Sequence, residues 1–202
     1  MGITLNWRLG QEQKYIKNTL DIAQKYAEKI KGEAVFFKVA VDIERLSDTK
    51  LFINMGGCET LGFDFRPLTE WEKEAGGSWG YESETLKDFR PFDNGDSEHI
   101  KKYPEQKMFW ASGFCKTQFA NNVVEHKYIA DIIKLVAGRC HVAEVSDEAD
   151  YYHSGVLEDA NEAIAELGAM INGLGEQLAG AGWENSKVIK GGETVIKKIK
   201  KK

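Results

Sequence analysis

Residues 114–129 read FCKTQFANNVVEHKYI, and the fold turns on whether this run is one reactive loop or a strand that gives way to a helix. Toward the N-terminus, residues 108–119 alternate. Phe109, Ala111, Gly113, Cys115, Thr117 and Phe119 share one side; Met108, Trp110, Ser112, Phe114, Lys116 and Gln118 share the other. A period of two is the signature of a strand. Both sides are largely apolar, so a central strand covered on both faces is expected. Toward the C-terminus, Asn122 with Glu125 three residues later forms a variant capping box. Val124, Tyr128, Ile132 and Val136, with Ile129 and Ile133, then recur at helical spacing up to Gly138. The run therefore reads as strand end (KTQ), turn (ANN) and first helical turns, with His126 on the helix.

The flanking sequence interleaves the same two periodicities. ITLNWRL alternates Ile3, Leu5, Trp7 and Leu9 against Thr4, Asn6 and Arg8, which predicts an opening strand. From Gln11 to Lys31, Ile16, Leu20, Ala23, Ala27 and Ile30 recur at three and four residues, predicting a helix that stops at Gly32. AVFFKVAVDI and LFINM, on either side of RLSDTK, predict a hairpin. In the second hairpin strand Gly56 and Gly57 suggest a bulge. Parity through that bulge places Glu59 either on the apolar face of Leu61, Phe63 and Phe65, where a carboxylate needs a partner, or facing water. HVAEV predicts another strand, and Ala160, Ile164, Leu167, Ile171, Leu174 and Leu178 predict a last helix over Leu157–Ala179. Residues 66–107 hold all three prolines and no motif, and are expected to be an irregular loop or insertion. The expected architecture is one α+β domain over residues 1–182, ordered β-α-β-β, long loop, β-α-β-α. A ferredoxin-like split βαβ sheet with helices on one face fits this order. A lysine-rich, flexible tail over 183–202 completes the chain.

Composition narrows the function classes. With 202 residues, 42% hydrophobic and 29% charged, the chain can bury a substantial core, and a net charge of −5 supplies no global field for nucleic acid. Cys58, Cys115 and Cys140 are odd in number and include no C-x-x-C pair, which speaks against a disulfide framework or thiolate zinc site. No apolar run approaches the roughly 20 residues that span a bilayer, and MGITLNWRLG lacks the pattern of a secretory leader. A cytoplasmic location without membrane insertion is expected. Neither a metal site nor a cofactor is expected: the four histidines form no H-x-x-x-H pair, and no glycine-rich phosphate loop follows a strand.

The stretches GCETLGFDF, FCKTQFA leading into the helix of His126, and EVSDEADYYHSG together resemble a family of bacterial conserved hypothetical proteins over most of residues 1–178. That resemblance implies Cys58, Glu59, Lys116, Thr117, Gln118, His126, Asp147 and Glu148 as positions of interest. It implies no reaction, ligand or partner. Where the family continues with an acidic Gly-Tyr-Trp, this chain has ADYYHSG.

Chemically, Glu59, Lys116 and Glu148 are the candidates for proton transfer, since a lysine among carboxylates can exchange protons when partly buried. Thr117, Gln118, His126 and Asp147 are the candidates for ligand binding. The competing reading is a structural ion-pair network at the strand ends. A Cys115–His126–Asp147 thiol triad is disfavoured, because parity sends Cys115 to the face of Phe109, Ala111 and Phe119. His126 reads as a helix-surface or core histidine ahead of a base. The expected function is an intracellular binding or regulatory module with a polar site at its strand ends. A small-molecule enzyme using Lys116 with Glu59 and Glu148 is the alternative. The expected partner is a small polar ligand or a protein. Nucleic acid enters only through the tail, where Lys187, Lys190, Lys197, Lys198, Lys200, Lys201 and Lys202 carry no arginine or aromatic among them.

Overall fold

The computed structural model describes residues 3–34, 39–69, 108–117, 123–180, 183–185 and 196–198. The opening strand β1 spans Thr4–Glu12 and buries Leu5, Trp7 and Leu9 on the side that the alternation predicted. Helix α1 follows at Gln13–Ala34 and buries Ile16, Leu20, Ala23, Ala27 and Ile30. It passes through Gly32, whose missing Cβ faces open space. At such a position glycine costs a helix only about 1 kcal/mol against alanine, so the helix runs past the expected stop.

Strands β2 (Val41–Ser47) and β3 (Lys50–Met55) form the expected hairpin, and the chain then turns at Gly56–Cys58. The glycine pair is thus a turn between strands, not a bulge within one. Strand β4 (Leu61–Asp64) returns antiparallel to β3 and buries Leu61 and Phe63, with Phe65 buried just after it. Next, β5 (Arg66–Pro67) makes a two-residue edge against β6 (Met108–Lys116), so the start of the expected irregular region is ordered. Residues 70–107 lie outside the described residues. Helix α2 (Val123–Ala137), β7 (Val142–Asp147), the short α3 (Tyr151–Ser154) and the long α4 (Leu157–Gly180) complete the main body. Within the stretch expected to be a flexible tail, β8 (Trp183–Asn185) pairs antiparallel with β9 (Ile196–Lys198).

The α+β class holds, with the main body built on two antiparallel sheets in place of a single one. The hairpin and β4 make a sheet ordered β2-β3-β4, separate from the four-stranded sheet β5-β6-β1-β7. In the latter, β6 and β7 both run antiparallel to β1. They are therefore parallel to each other, split by β1 and joined through α2, which is the split βαβ unit. Helices α1 and α2 pack against each other and share a core with the inner residues of β1 and β6. Trp7 bridges the two sheets, its ring centroid 5.9 Å from that of Phe63. Each fully buried aliphatic side chain here contributes about 1.5–3 kcal/mol.

The outer face of the four-stranded sheet departs from expectation. Trp110 and Met108 are buried there with Leu68, against the half-buried Val142 and under the Arg8 guanidinium 4.4 Å from the Trp110 ring. Further along the same strand Ser112 and Phe114 are exposed. Strand β6 is covered on both faces at one end only. Gly113 on its inner side is required by Trp7, since a Cβ there would lie 2.7 Å from the indole.

Candidate functional site

The end of β6 delivers Thr117 to the inner face, as the parity of Phe109, Ala111 and Cys115 requires. Thr117 is fully buried, and its backbone N–H donates to the Ile3 carbonyl at 2.9 Å. A buried hydroxyl needs a partner, and it finds one in α2: Thr117 Oγ1 lies 2.7 Å from His126 Nδ1. On the far side of the ring, His126 Nε2 lies 3.2 Å from Asp147 Oδ2 at the end of β7. Asp147 Oδ1 accepts the Ala149 N–H at 2.9 Å, and Oδ2 also accepts the Tyr152 N–H at 2.8 Å. None of the three side chains has any exposed surface. Tyr151, on α3, stands edge-on to the imidazole at 6.3 Å between centroids.

These distances select a tautomer. If Nε2 carries the proton, it donates to the carboxylate while Nδ1 accepts from the threonine hydroxyl, and every polar atom is satisfied. With the proton on Nδ1 alone, Nε2 would present a lone pair to a carboxylate. The threonine hydroxyl would also be left with only the Ile3 carbonyl at 3.5 Å, a poor acceptor distance. Burial by itself would raise the Asp147 pKa, but the hydrogen bonds from His126 and from the Tyr152 and Ala149 amides outweigh it. They hold the carboxyl below its ordinary value.

Register explains how three distant residues converge. Cys115 and Asp147 both stand opposite Leu5 of β1. The split unit thus puts the ends of β6 and β7 side by side across one strand, and α2, which joins them, drops His126 between.

The candidate acid–base residues lie on the rim instead. Lys116 Nζ sits 3.7 Å from Glu59 Oε1, with the side chains 44% and 46% exposed. Glu59 belongs to the turn before β4, not to the Leu61 face, and faces water. It is tied to β6 by its backbone N–H donating to the Lys116 carbonyl at 3.0 Å and by the Cys115 thiol donating to its own carbonyl at 3.0 Å. Glu148 Oε2 accepts the Thr4 N–H at 2.8 Å. Thr4 in turn stands opposite Lys116, so Glu148 and Lys116 are separated by a strand. Expected as one cluster, these residues form an exposed pair and a separate carboxylate. Gln118 lies outside the described residues, as does Asn122 of the capping box. Glu125 is buried at the third position of α2.

The thiols are suppressed. Burial, reinforced by the Glu59 carboxylate, pushes the Cys115 thiol up to about 12. Burial alone takes Cys140 to about 12, and burial, reinforced by the neighbouring Cys115 and Glu125, raises Cys58. Among the described residues no group of three or more His, Cys, Asp or Glu side chains is placed to hold a metal ion. No helix among them is long and apolar enough to cross a membrane.

One cluster was missed from sequence. Asp131 of α2 accepts hydrogen bonds from Tyr26 of α1 and Tyr151 of α3, each at 3.3 Å, and from Lys127 one turn earlier. The Lys127–Asp131 spacing of four was its only sequence signal. It ties α1, α2 and α3 together beside His126. No family model, curated protein or solved structure matches the chain.

Proposed function

We propose that the protein is a binding module whose ligand, a small polar molecule, engages the rim formed by Lys116 and Glu59 at the strand end that the buried Thr117–His126–Asp147 chain fixes. The observation that carries this reading is that chain: a histidine without exposed surface, hydrogen-bonded at both ring nitrogens, whose threonine partner directly follows the lysine of an exposed ion pair at the same strand end. Buried polar networks give less stability than apolar packing of equal volume, and they fix geometry where it is needed. Here the network sets the end of β6, the start of α2 and the turn after β7 in one arrangement. The adjacent ammonium and carboxylate then offer a ligand both a donor and an acceptor at a fixed spacing.

Proton transfer by Lys116 with Glu59 and Glu148 has less support. The pair is open to water, which screens its mutual effect, and Glu148 is engaged across β1. Attack by Thr117 lacks access, because its hydroxyl is fully buried. The test is an amide NMR titration of the full chain with a panel of amino acids, hydroxy acids and polyols. The reading expects saturable shifts centred on residues 58–60 and 115–117 that are lost in Lys116→Met. Shifts confined elsewhere, or none across the panel, would overturn it.

A further inference from the structure

The register of β1 with its two neighbours lays out the outer face of the four-stranded sheet in rows. Trp110, Gly10 and Val142 form one row, Ser112, Arg8 and Glu144 the next, and Phe114, Asn6 and Ser146 the third. Lys116 and Thr4 form the last, with Glu148 beyond them donating its backbone N–H to the Thr4 carbonyl at 3.2 Å. Leu68 and Met108 close the Trp110 row, and Arg8 spans its own row to Glu144 at 3.5 Å. The Phe114 row is bare, with Phe114 52% exposed and Ser146 exposed as well. A single exposed apolar residue is ordinary on a protein surface, so the argument rests on where this one stands. Phe114 lies two residues before Lys116 on the same face, its ring centroid 5.6 Å from the Lys116 ammonium, which in turn lies 3.7 Å from Glu59 Oε1. The Glu59 carboxylate is anchored, its Oε2 accepting the Lys116 backbone N–H at 3.3 Å.

A flat apolar ring, a cation and an anion thus stand side by side at one strand end, and charge narrows what they take. Arg8 and Lys116 share this region with Glu59, Glu144 and Glu148, two cations with three carboxylates, so a phosphorylated or polyanionic ligand meets no surplus of positive charge. A zwitterion sets a carboxylate on the ammonium and an ammonium on the carboxylate, which exchanges one ion pair for two. The 3.7 Å separation of Lys116 and Glu59 is longer than a hydrogen bond, so both groups keep positions open for it. In an amino acid with a ring on its β-carbon, the charged groups sit about 5 Å from the ring centre by standard bond lengths. That matches the 5.6 Å from Lys116 to Phe114, and stacked or edge-on rings tolerate centroids about 4.5–7 Å apart. We infer that the ligand of the rim is a free amino acid with an aromatic side chain, its carboxylate on Lys116, its α-ammonium on Glu59 and its ring against Phe114. The inference rests on the binding reading above and names the ligand class of that site. An open face buries little of its ligand, so binding is in the millimolar range.

Amide NMR titration of the full chain with phenylalanine, tyrosine and tryptophan, beside leucine, alanine and N-acetylphenylalanine amide, tests this. The aromatic amino acids should shift Glu59, Phe114 and Lys116 saturably and bind about tenfold tighter than alanine. Phe114→Ser should erase that difference, and Lys116→Met should remove the binding of every amino acid. If circular dichroism shows that Phe114→Ser loses its fold, Phe114→Leu, which keeps bulk and removes the ring, carries the same expectation. Leucine as tight as phenylalanine, or an aromatic preference that survives in the folded Phe114 variant, overturns the inference and leaves the binding reading standing. So does saturable binding at these residues by a polyol or hydroxy acid and by no amino acid. N-acetylphenylalanine amide as tight as phenylalanine overturns the zwitterion. No shift at these residues from any of these ligands overturns both the inference and the reading beneath it.

Discussion

Asp147→Asn isolates the buried chain with almost no change in volume. In the native protein the carboxylate accepts three hydrogen bonds, from His126 and from the Ala149 and Tyr152 amides. A carboxamide has one acceptor oxygen. With that oxygen in the place of Oδ2, His126 and Tyr152 are satisfied and the new NH₂ faces the Ala149 N–H. Flipped, the oxygen serves Ala149, His126 changes tautomer, and the Tyr152 N–H is stranded. Either way one buried backbone donor loses its acceptor, and the remaining bonds lose their charge assistance. The expected cost is about 2–4 kcal/mol, read from urea unfolding monitored by fluorescence with an unchanged m-value. A loss below about 0.5 kcal/mol, in the range of an ordinary surface substitution, would refute the reasoning. The pH dependence gives an independent check. Because folding lowers the Asp147 pKa, its contribution is complete above the ordinary value of 3.8 and is lost as pH falls through the lower folded value. The gap between wild type and Asp147→Asn should therefore be constant at neutral pH and close in acid.

Three further outcomes follow from the same geometry. Lys116→Met should change stability by less than about 1 kcal/mol, since both partners of its ion pair are open to water; a loss of several kcal/mol in chemical denaturation would mean the lysine is a buried partner after all. Gly113→Ala should cost about 1–3 kcal/mol or more, because the added carbon meets the Trp7 indole at 2.7 Å, and a crystal structure or tryptophan fluorescence should show the ring displaced; an unshifted Trp7 with full stability would contradict the contact. Alkylation of Cys115 by iodoacetamide near pH 8 should be far slower in the native protein than in urea, because the thiol is buried and pushed up to about 12; equal rates would contradict its burial.

How far the sequence could be read depended on whether a signal was local. The alternation in β1 and the three-four rhythm of α2 report a single face of a single element and placed its buried residues, whereas the two apolar sides of β6 promised cover on both faces that Ser112 and Phe114 do not have. Gly56–Gly57 was ambiguous, because a glycine pair between two alternating runs serves a bulge and a turn equally well. The turn it proved to be cut the parity that would have placed Glu59 among Leu61, Phe63 and Phe65. The stop at Gly32 failed for an energetic reason: an exposed helical glycine costs too little to end a helix whose preceding turns are buried. The second sheet was not legible, since nothing in LFINM or LGFDF states which strand lies beyond it.

The site divides along the same line. The parity of β6 already put the Thr117 hydroxyl on an apolar side, which demanded a partner, and His126 and Asp147 were named beside it as candidates. Their junction depended on β1 lying between β6 and β7, a fact of topology that no residue near Thr117 encodes. Grouping Lys116 with Glu148 failed for the converse reason: both stand at strand ends, but Thr4 separates them.

The central claim is that His126 is locked between Thr117 and Asp147, and long-range ¹H–¹⁵N NMR of the imidazole tests it most directly. The account predicts one slowly exchanging Nε2–H proton, moved downfield by its bond to the Asp147 carboxylate, beside an unprotonated Nδ1 that accepts from Thr117. A ring that exchanges rapidly with solvent, or one that carries its proton on Nδ1 alone, would contradict it.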